Sequence, residues 1–281
     1  MTAPMPPDSM RQGPIGVFDS GLGGLTVLRS LIDLLPDESV VYFGDTGRFP
    51  YGPKPADEVL KYALEIGELL VARGARLIVV ACNSAAAAAL EPMRAQLPVP
   101  VVGVIEPGLR AAFQATRSGR IGVIGTVGTI ASGAYPRVAA ELVAELSPRD
   151  QAIELTGAAC PGFVEFVEAG DVESDQVHIL AERLLAPVRE AGVDTLVLGC
   201  THYPLLARTI ADVMGRDVVL VSSAEETAFA VRSLVATGAI GPEASGPTHT
   251  FLTSGDVETF RRLGTRFLGP EVDAVEAWPW D

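Results

Sequence analysis

Cysteine is scarce in this chain, with three residues in 281 and no CxxC pair. That count excludes a disulfide framework and offers no thiolate metal site. Histidine is equally sparse, and His178, His202 and His249 are too scattered for a metal triad. Positive charge is short as well. Lys and Arg number 21 against 35 Asp and Glu, a net charge of −14, and no basic run interrupts the acidic balance. Such a chain is a poor candidate for direct, sequence-independent binding of nucleic acid or of a membrane surface. The longest apolar stretch runs only from Leu77 to Leu90 and contains Asn83 and Ser84, whereas a membrane span needs about 20 apolar residues. Nucleotide-binding loops are missing too. Gly21-Leu22-Gly23-Gly24 follows a strand-like run, but the third glycine of a GxGxxG fingerprint would fall at Thr26, and there is no GK[ST] sequence.

What is present is apolar substance. Hydrophobic residues make up 48 % of the chain and charged residues 20 %, enough for large dry cores and against global disorder. The length suits two compact α/β units. Ile15–Phe18, Val40–Phe43, Leu77–Ala81 and Val101–Val104 are β-branched runs of strand length, and Ile121–Ile124, Ile153–Leu155, Leu196–Leu198 and Val218–Val221 continue the rhythm. Between them Leu25, Leu28, Leu31, Ile32 and Leu35 recur at helical spacing. Strands apolar on both faces and separated by helices predict an α/β fold of parallel sheets covered on each side. Residues 1–12, Pro-rich and polar, read as a flexible tail rather than a signal peptide. The default location is the cytoplasm.

The chain also echoes itself. Ile15-Gly16-Val17-Phe18-Asp19-Ser20-Gly21 resembles Ile121-Gly122-Val123-Ile124-Gly125-Thr126, and Val79-Val80-Ala81-Cys82-Asn83-Ser84 resembles Val197-Leu198-Gly199-Cys200-Thr201-His202. In each half a cysteine closes the third predicted strand. The shared order of the two echoes implies two related α/β domains, each presenting one thiol from the same structural place. Ligands of parallel sheets collect beyond the carboxyl ends of the strands, where loops lead into helix N-termini. A thiol in such a position is expected to be acidic, favoured as thiolate by the helix dipole. Two facing thiols suit inversion of a stereocentre, one removing a proton and the other delivering one to the opposite face. A disulfide-forming redox pair would place its thiols close in sequence, which Cys82 and Cys200 are not. Cys160 has no counterpart in the repeat and reads as structural or merely adjacent to the site.

The same segments carry no Lys or Arg. An anionic substrate would be held by backbone amides and by Ser20, Asn83, Ser84, Thr126 or Thr201, with Gly21, Gly23 and Gly24 letting a ligand carboxylate approach the helix start. The turn-rich loop Asp45–Lys54 is placed to line or cover the cleft.

Taken together, Gly16-Val17-Phe18-Asp19-Ser20-Gly21-Leu22-Gly23-Gly24, the Tyr51-Gly52-Pro53 loop, Ala81-Cys82-Asn83-Ser84-Ala85 and Leu198-Gly199-Cys200-Thr201-His202-Tyr203-Pro204-Leu205-Leu206 resemble the aspartate/glutamate racemase family from Gly16 to about Ser223. The resemblance implies a substrate cleft between two pseudo-symmetric domains, 13–103 plus 222–281 and 104–221. It implies cofactor-independent interconversion of L-glutamate and D-glutamate, with the D-form feeding peptidoglycan synthesis. By position it makes Cys82 and Cys200 the acid/base thiols, assisted by Asp19, His202 and Glu168. Substrate contacts would come from Asp19, Ser20, Tyr51, Gly52, Asn83, Ser84, Thr201 and His202. A homodimer is also implied, although no interface is legible in the residues. Two positions depart from the family pattern: Ser84, where Thr is more usual, and Glu165, where Pro is common. Other readings remain open at this point: a racemase of aspartate or another small amino acid, or a non-catalytic amino-acid-binding or regulatory protein that would need neither thiol.

Overall fold

The computed structural model describes residues 13–146, 152–238, 247–272 and 274–280; the tail expected over residues 1–12 lies outside them. Ten strands are present among the described residues: β1 (Ile15–Asp19), β2 (Val40–Gly44), β3 (Leu77–Val80), β4 (Val101–Gly103), β5 (Arg120–Gly125), β6 (Glu154–Ala159), β7 (Thr195–Gly199), β8 (Val219–Ser222), β9 (His249–Thr253) and β10 (Val275–Ala277). They form two sheets, with strand orders β10-β9-β2-β1-β3-β4 and β6-β5-β7-β8, and every pairing is parallel. The order β2-β1-β3-β4 recurs as β6-β5-β7-β8, so the third strand of each half occupies the same topological place.

Every residue of β1, β2, β3 and β7 is buried, as strands covered by helices on both faces must be. The apolar spacing of the first helix, Leu25–Leu34, puts Leu25, Val27, Leu28 and Leu31 into the core. Its polar side faces out through Arg29 and Asp33, an i,i+4 pair at 2.7 Å. One hydrophobic cluster fills the six-stranded half and runs on through Ile121, Val123 and Val197, while a second lies under β6 and β7 around Ile124, Phe163 and Leu198.

The expected strands occur with small shifts: Glu154–Ala159 in place of Ile153–Leu155, and Val219–Ser222 in place of Val218–Val221. Two strands were not anticipated. β9 pairs with β2, Val40 opposite His249 through Gly44 opposite Thr253, and β10 extends the sheet beyond it. Their sequences are short and half-polar; the distant β2 defines β9, and β9 in turn defines β10.

Candidate active site

The carboxyl ends of β1 and β3 from one sheet, and of β5 and β7 from the other, open on one cavity of about 340 Å³. Each strand hands over to a helix within a few residues. Cys82 is the N-cap residue of the helix Asn83–Gln96. Thr126 caps the helix Val127–Ala131, its side chain accepting the Thr129 N–H. Cys200 and Thr201 follow β7 directly, ahead of the 3₁₀ turn Tyr203–Leu206.

Both thiols line this cavity, together with Ser20, Tyr51, Gly52, Asn83, Ser84, Thr126, Thr201 and His202. The Cys82 thiol points to the Ser20 hydroxyl at 3.6 Å. Cys200 Sγ lies 3.9 Å from His202 Nδ1, and His202 Nε2 lies 3.3 Å from Glu168 Oε1. His202 is enclosed by two rings, Phe49 at 6.3 Å and Phe267 edge-on at 5.7 Å between centroids. The hydroxyls of Ser84, Thr126 and Thr129 form a closed triangle with sides of 3.1, 3.1 and 2.9 Å. Thr126 therefore reaches the cavity with its hydroxyl already engaged. At Ser84 the hydroxyl is what the triangle uses, so the methyl a threonine would add is dispensable to it.

Two predicted site residues stand behind the lining. Asp19 is 1 % exposed and does not line the cavity. Its carboxylate accepts the Gly21 N–H at 2.8 Å and the Thr201 hydroxyl at 3.3 Å, which ties β1 to the Cys200 loop. Glu168, on the helix Phe163–Ala169, also reaches the cavity only through His202. The glycines need a similar correction. A Cβ on Gly23 would sit 2.2 Å from Thr201 Oγ1 and 2.5 Å from His202 Nδ1, and one on Gly24 would sit 2.5 Å from Asp19 Cβ. These residues are glycine so that Asp19, Thr201 and His202 fit over the helix start. The space a side chain at Gly23 or Gly24 would need is filled by those residues.

The two thiols have different neighbours. Burial pushes the Cys82 thiol up to about 12, helped by the negative charge of Asp19. The acidic thiol expected from its helix-start position is therefore not found at Cys82: burial outweighs the N–H groups that favour thiolate. Burial likewise raises Asp19, against the pull of His202 and the backbone N–H groups of Gly21 and Gly24. At His202 burial acts downward, but the hydrogen bonds to Cys200 and Glu168 override it and lift the imidazole to about 10. The groups around His202 thus favour its protonated form. No Lys or Arg lines the cavity.

The loop between β2 and the helix Ala56–Ala72 does cover the cleft. Phe49, Pro50, Tyr51, Gly52 and Pro53 form one wall, and Gly52 O accepts the Gly128 N–H at 3.0 Å across the cleft. Tyr51 donates its hydroxyl to Asp45, a carboxylate that also takes Arg48 Nε at 2.7 Å, Ser254 Oγ at 2.6 Å and Trp280 Nε1 at 2.9 Å. Sequence reasoning missed this buried anchor. Its members come from residues 45–51, 254 and 280, and no local pattern joins them. Cys160 lines the cavity beside Pro161 and Gly162 while being 1 % exposed, so it is adjacent to the site. Glu165 lines it as well, at an exposed position. Among the described residues, no group of three or more His, Cys, Asp or Glu is arranged to hold a metal ion.

Residues 15–230 match the family model described as Asp/Glu/Hydantoin racemase. The chain is 53 % identical over 268 residues to a glutamate racemase of Acidothermus cellulolyticus, covering 95 % of this chain and 99 % of that protein. It is 51 % identical over 268 residues to one from Corynebacterium diphtheriae, covering 95 % and 98 %. Among solved structures, a glutamate racemase of Bacillus anthracis superposes with a TM-score of 0.87 at 40 % identity, over 96 % of this chain and 98 % of that one. The matched span holds both strand-end cysteines and the loops around them, and on these grounds the chain belongs to the Asp/Glu/Hydantoin racemase family.

Proposed function

We propose that this chain is a cofactor-independent glutamate racemase in which Cys82 and Cys200 are the two proton-transfer groups. The observation that carries the reading is the convergence of two topologically equivalent thiols on one cavity, each at the carboxyl end of a third strand. The named relatives, glutamate racemases at about half identity over nearly the whole chain, support the substrate.

The chemistry follows from the geometry. A thiolate on one wall takes the α-hydrogen as a proton, and its electron pair remains on Cα, delocalised into the carboxylate. The thiol on the other wall then gives its proton to the opposite face, so one sulfur ends protonated and the other ionised. Cys82, whose thiol is raised to about 12 by burial and by Asp19, is ready to donate. A substrate ammonium group offsets the charge of Asp19, the smaller of the two causes that raise this thiol, and so shifts it toward thiolate. His202 keeps a cation 3.9 Å from the Cys200 sulfur, and Glu168 keeps the proton on His202. Negative charge developing on the substrate meets the donors Ser20 and Asn83 in a site walled from water by Phe49 to Pro53. Asp19 acts as a positioning group, through Thr201 and the Gly21 N–H.

In this reading the two domains are residues 13–103 plus 222–281 and 104–221, the product D-glutamate supplies peptidoglycan, and the protein works in the cytoplasm as a homodimer. No helix among the described residues is long and apolar enough to cross a membrane.

A circular-dichroism time course on L-glutamate and on D-glutamate, without added cofactor, tests the activity. Decay of both signals to zero is the expected result. Decay on L-aspartate with flat glutamate traces would replace the substrate, and no decay on either would remove the racemase reading.

A further inference from the structure

Tyr135 belongs to no motif recognised in the sequence and does not line the cavity. It stands in the first turn of the helix Ala134–Leu146 and is 2 % exposed. Its hydroxyl donates to Asn83 Oδ1 at 2.8 Å, a hydrogen bond from the β5–β8 half of the molecule to the residue after Cys82. The same hydroxyl lies against the residue before Cys200: a Cβ built on Gly199 would meet Tyr135 Oη at 2.8 Å. One phenol thus touches the immediate neighbours of both thiols. Burial and the nearby Cys200 raise Tyr135 far above the ordinary tyrosine range, so it is a neutral donor at every working pH.

The consequence falls on Asn83. An amide offers one acceptor oxygen and two N–H donors. With Oδ1 occupied by Tyr135, the end left over is Nδ2, which is buried and has no partner among the described residues. Asn83 is 3 % exposed and lines the cavity. A buried donor without a partner is costly unless a ligand satisfies it. The cavity has no Lys or Arg, so each fixed N–H counts toward holding a carboxylate.

We infer that Tyr135 is a positioning residue of this active site: its hydroxyl fixes the Asn83 amide so that Nδ2 is presented to a substrate carboxylate, and it sets the Cys200 strand end in register with the Cys82 helix start. The inference rests on the racemase reading above.

A double-mutant cycle on the full chain tests it, with initial racemisation rates of L- and D-glutamate for wild type, Y135F, N83A and Y135F/N83A. Thermal-unfolding midpoints are read in parallel. Y135F is expected to raise KM about tenfold with a smaller change in kcat, the effect of losing roughly one hydrogen bond to a charged group. In the N83A background the same substitution should cost less than about twofold, because the group it orients is gone. Full activity in Y135F, or an equal loss in both backgrounds, overturns the inference. If Y135F does not fold, N83D carries the test. Its carboxylate still accepts the tyrosine proton but has no amide N–H, so it should fold normally and lose D-glutamate binding by calorimetry. Wild-type affinity in N83D overturns the inference. A wild-type protein that racemises neither glutamate nor aspartate removes the parent reading and this one together, whereas wild-type turnover with an unaffected Y135F removes this one alone.

Discussion

The ends of β3 and β7 are the same place built twice and charged differently. Both close a third strand in a β2-β1-β3-β4 type order, both carry a cysteine, and both thiols reach one cavity. Around Cys82 stand a hydroxyl and a buried carboxylate, Ser20 and Asp19, and the thiol is pushed up to about 12. Around Cys200 stand an imidazole lifted to about 10 and, behind it, Glu168. Backbone topology has been kept from one half to the other while the electrostatic surroundings have diverged. The lesson is that a repeated fold repeats the position of a group and leaves its neighbours free to change.

The sharpest way to break the comparison is to remove each thiol. Cys82→Ala and Cys200→Ala should each lower racemisation by about 10²- to 10⁴-fold, the worth of a positioned acid or base, with the fold intact by circular dichroism in the far ultraviolet. Each variant should keep slow exchange of the α-hydrogen with D₂O for one enantiomer, and the two variants should keep it for opposite enantiomers. Exchange retained on the same enantiomer in both would mean that the thiols do not face opposite sides of the substrate.

A smaller effect should come from the group behind His202. The imidazole titrates above its ordinary 6.5 in the folded chain, so its contribution to stability is complete below about pH 6.5 and is lost as pH rises through about 10. The alkaline limb of kcat/KM should follow the same loss of the proton. Glu168→Gln replaces a charge-assisted hydrogen bond to His202 by a weaker neutral one, so that limb should move to lower pH while the acid limb stays. Because the enantiomers are equal in free energy, kcat/KM must stay equal in both directions in every variant. An unmoved alkaline limb in Glu168→Gln would detach Glu168 from the Cys200 side.

The smallest effect is expected at the third cysteine. Cys160 lines the cavity but has no equivalent in the first half, and Cys160→Ala should change kcat/KM by less than about twofold and stability by about 1 kcal/mol. A loss comparable to that of the other two would make the site a set of three thiols and end the pairwise comparison.

What could be read in the sequence was whatever is decided within a few residues. The runs at Ile15, Leu77 and Val197 show their burial by being apolar on both faces. Cys82-Asn83-Ser84 and Cys200-Thr201-His202 show their place because a strand end and a helix start adjoin them. The strands β9 and β10 were not legible, since β9 pairs with β2 some two hundred residues earlier and β10 pairs only with β9. Asp19 was found, but its rank behind Thr201 was not, because that depends on how closely Gly23 and Gly24 let the halves approach. The Cys82 thiol was misjudged for a related reason. A helix start is visible in sequence, and the depth of burial that overrides it is not. Tyr135 and the Asp45 anchor stayed hidden because their partners, Asn83, Ser254 and Trp280, are brought to them by the fold alone.

The route of the chain through its two sheets also sets an order of maturation. The four strands of the second sheet, β5 to β8, are contiguous in sequence and find all their partners once Ser222 has been made. The first sheet begins earlier and is completed later, because β2 lacks its outer neighbour until His249–Thr253 emerges. On the ribosome, the half translated second is therefore the first able to finish, and β2 waits as an unpaired edge of the kind that invites wrong pairing. The wall of the cavity waits with it. Tyr51 is anchored to Asp45, and Asp45 gains Ser254 only after β9 and Trp280 only after β10 have been synthesised. A nascent chain halted before residue 249 carries both thiols and neither of those two ties, so the wall beside the thiols is fixed later than the thiols themselves are placed.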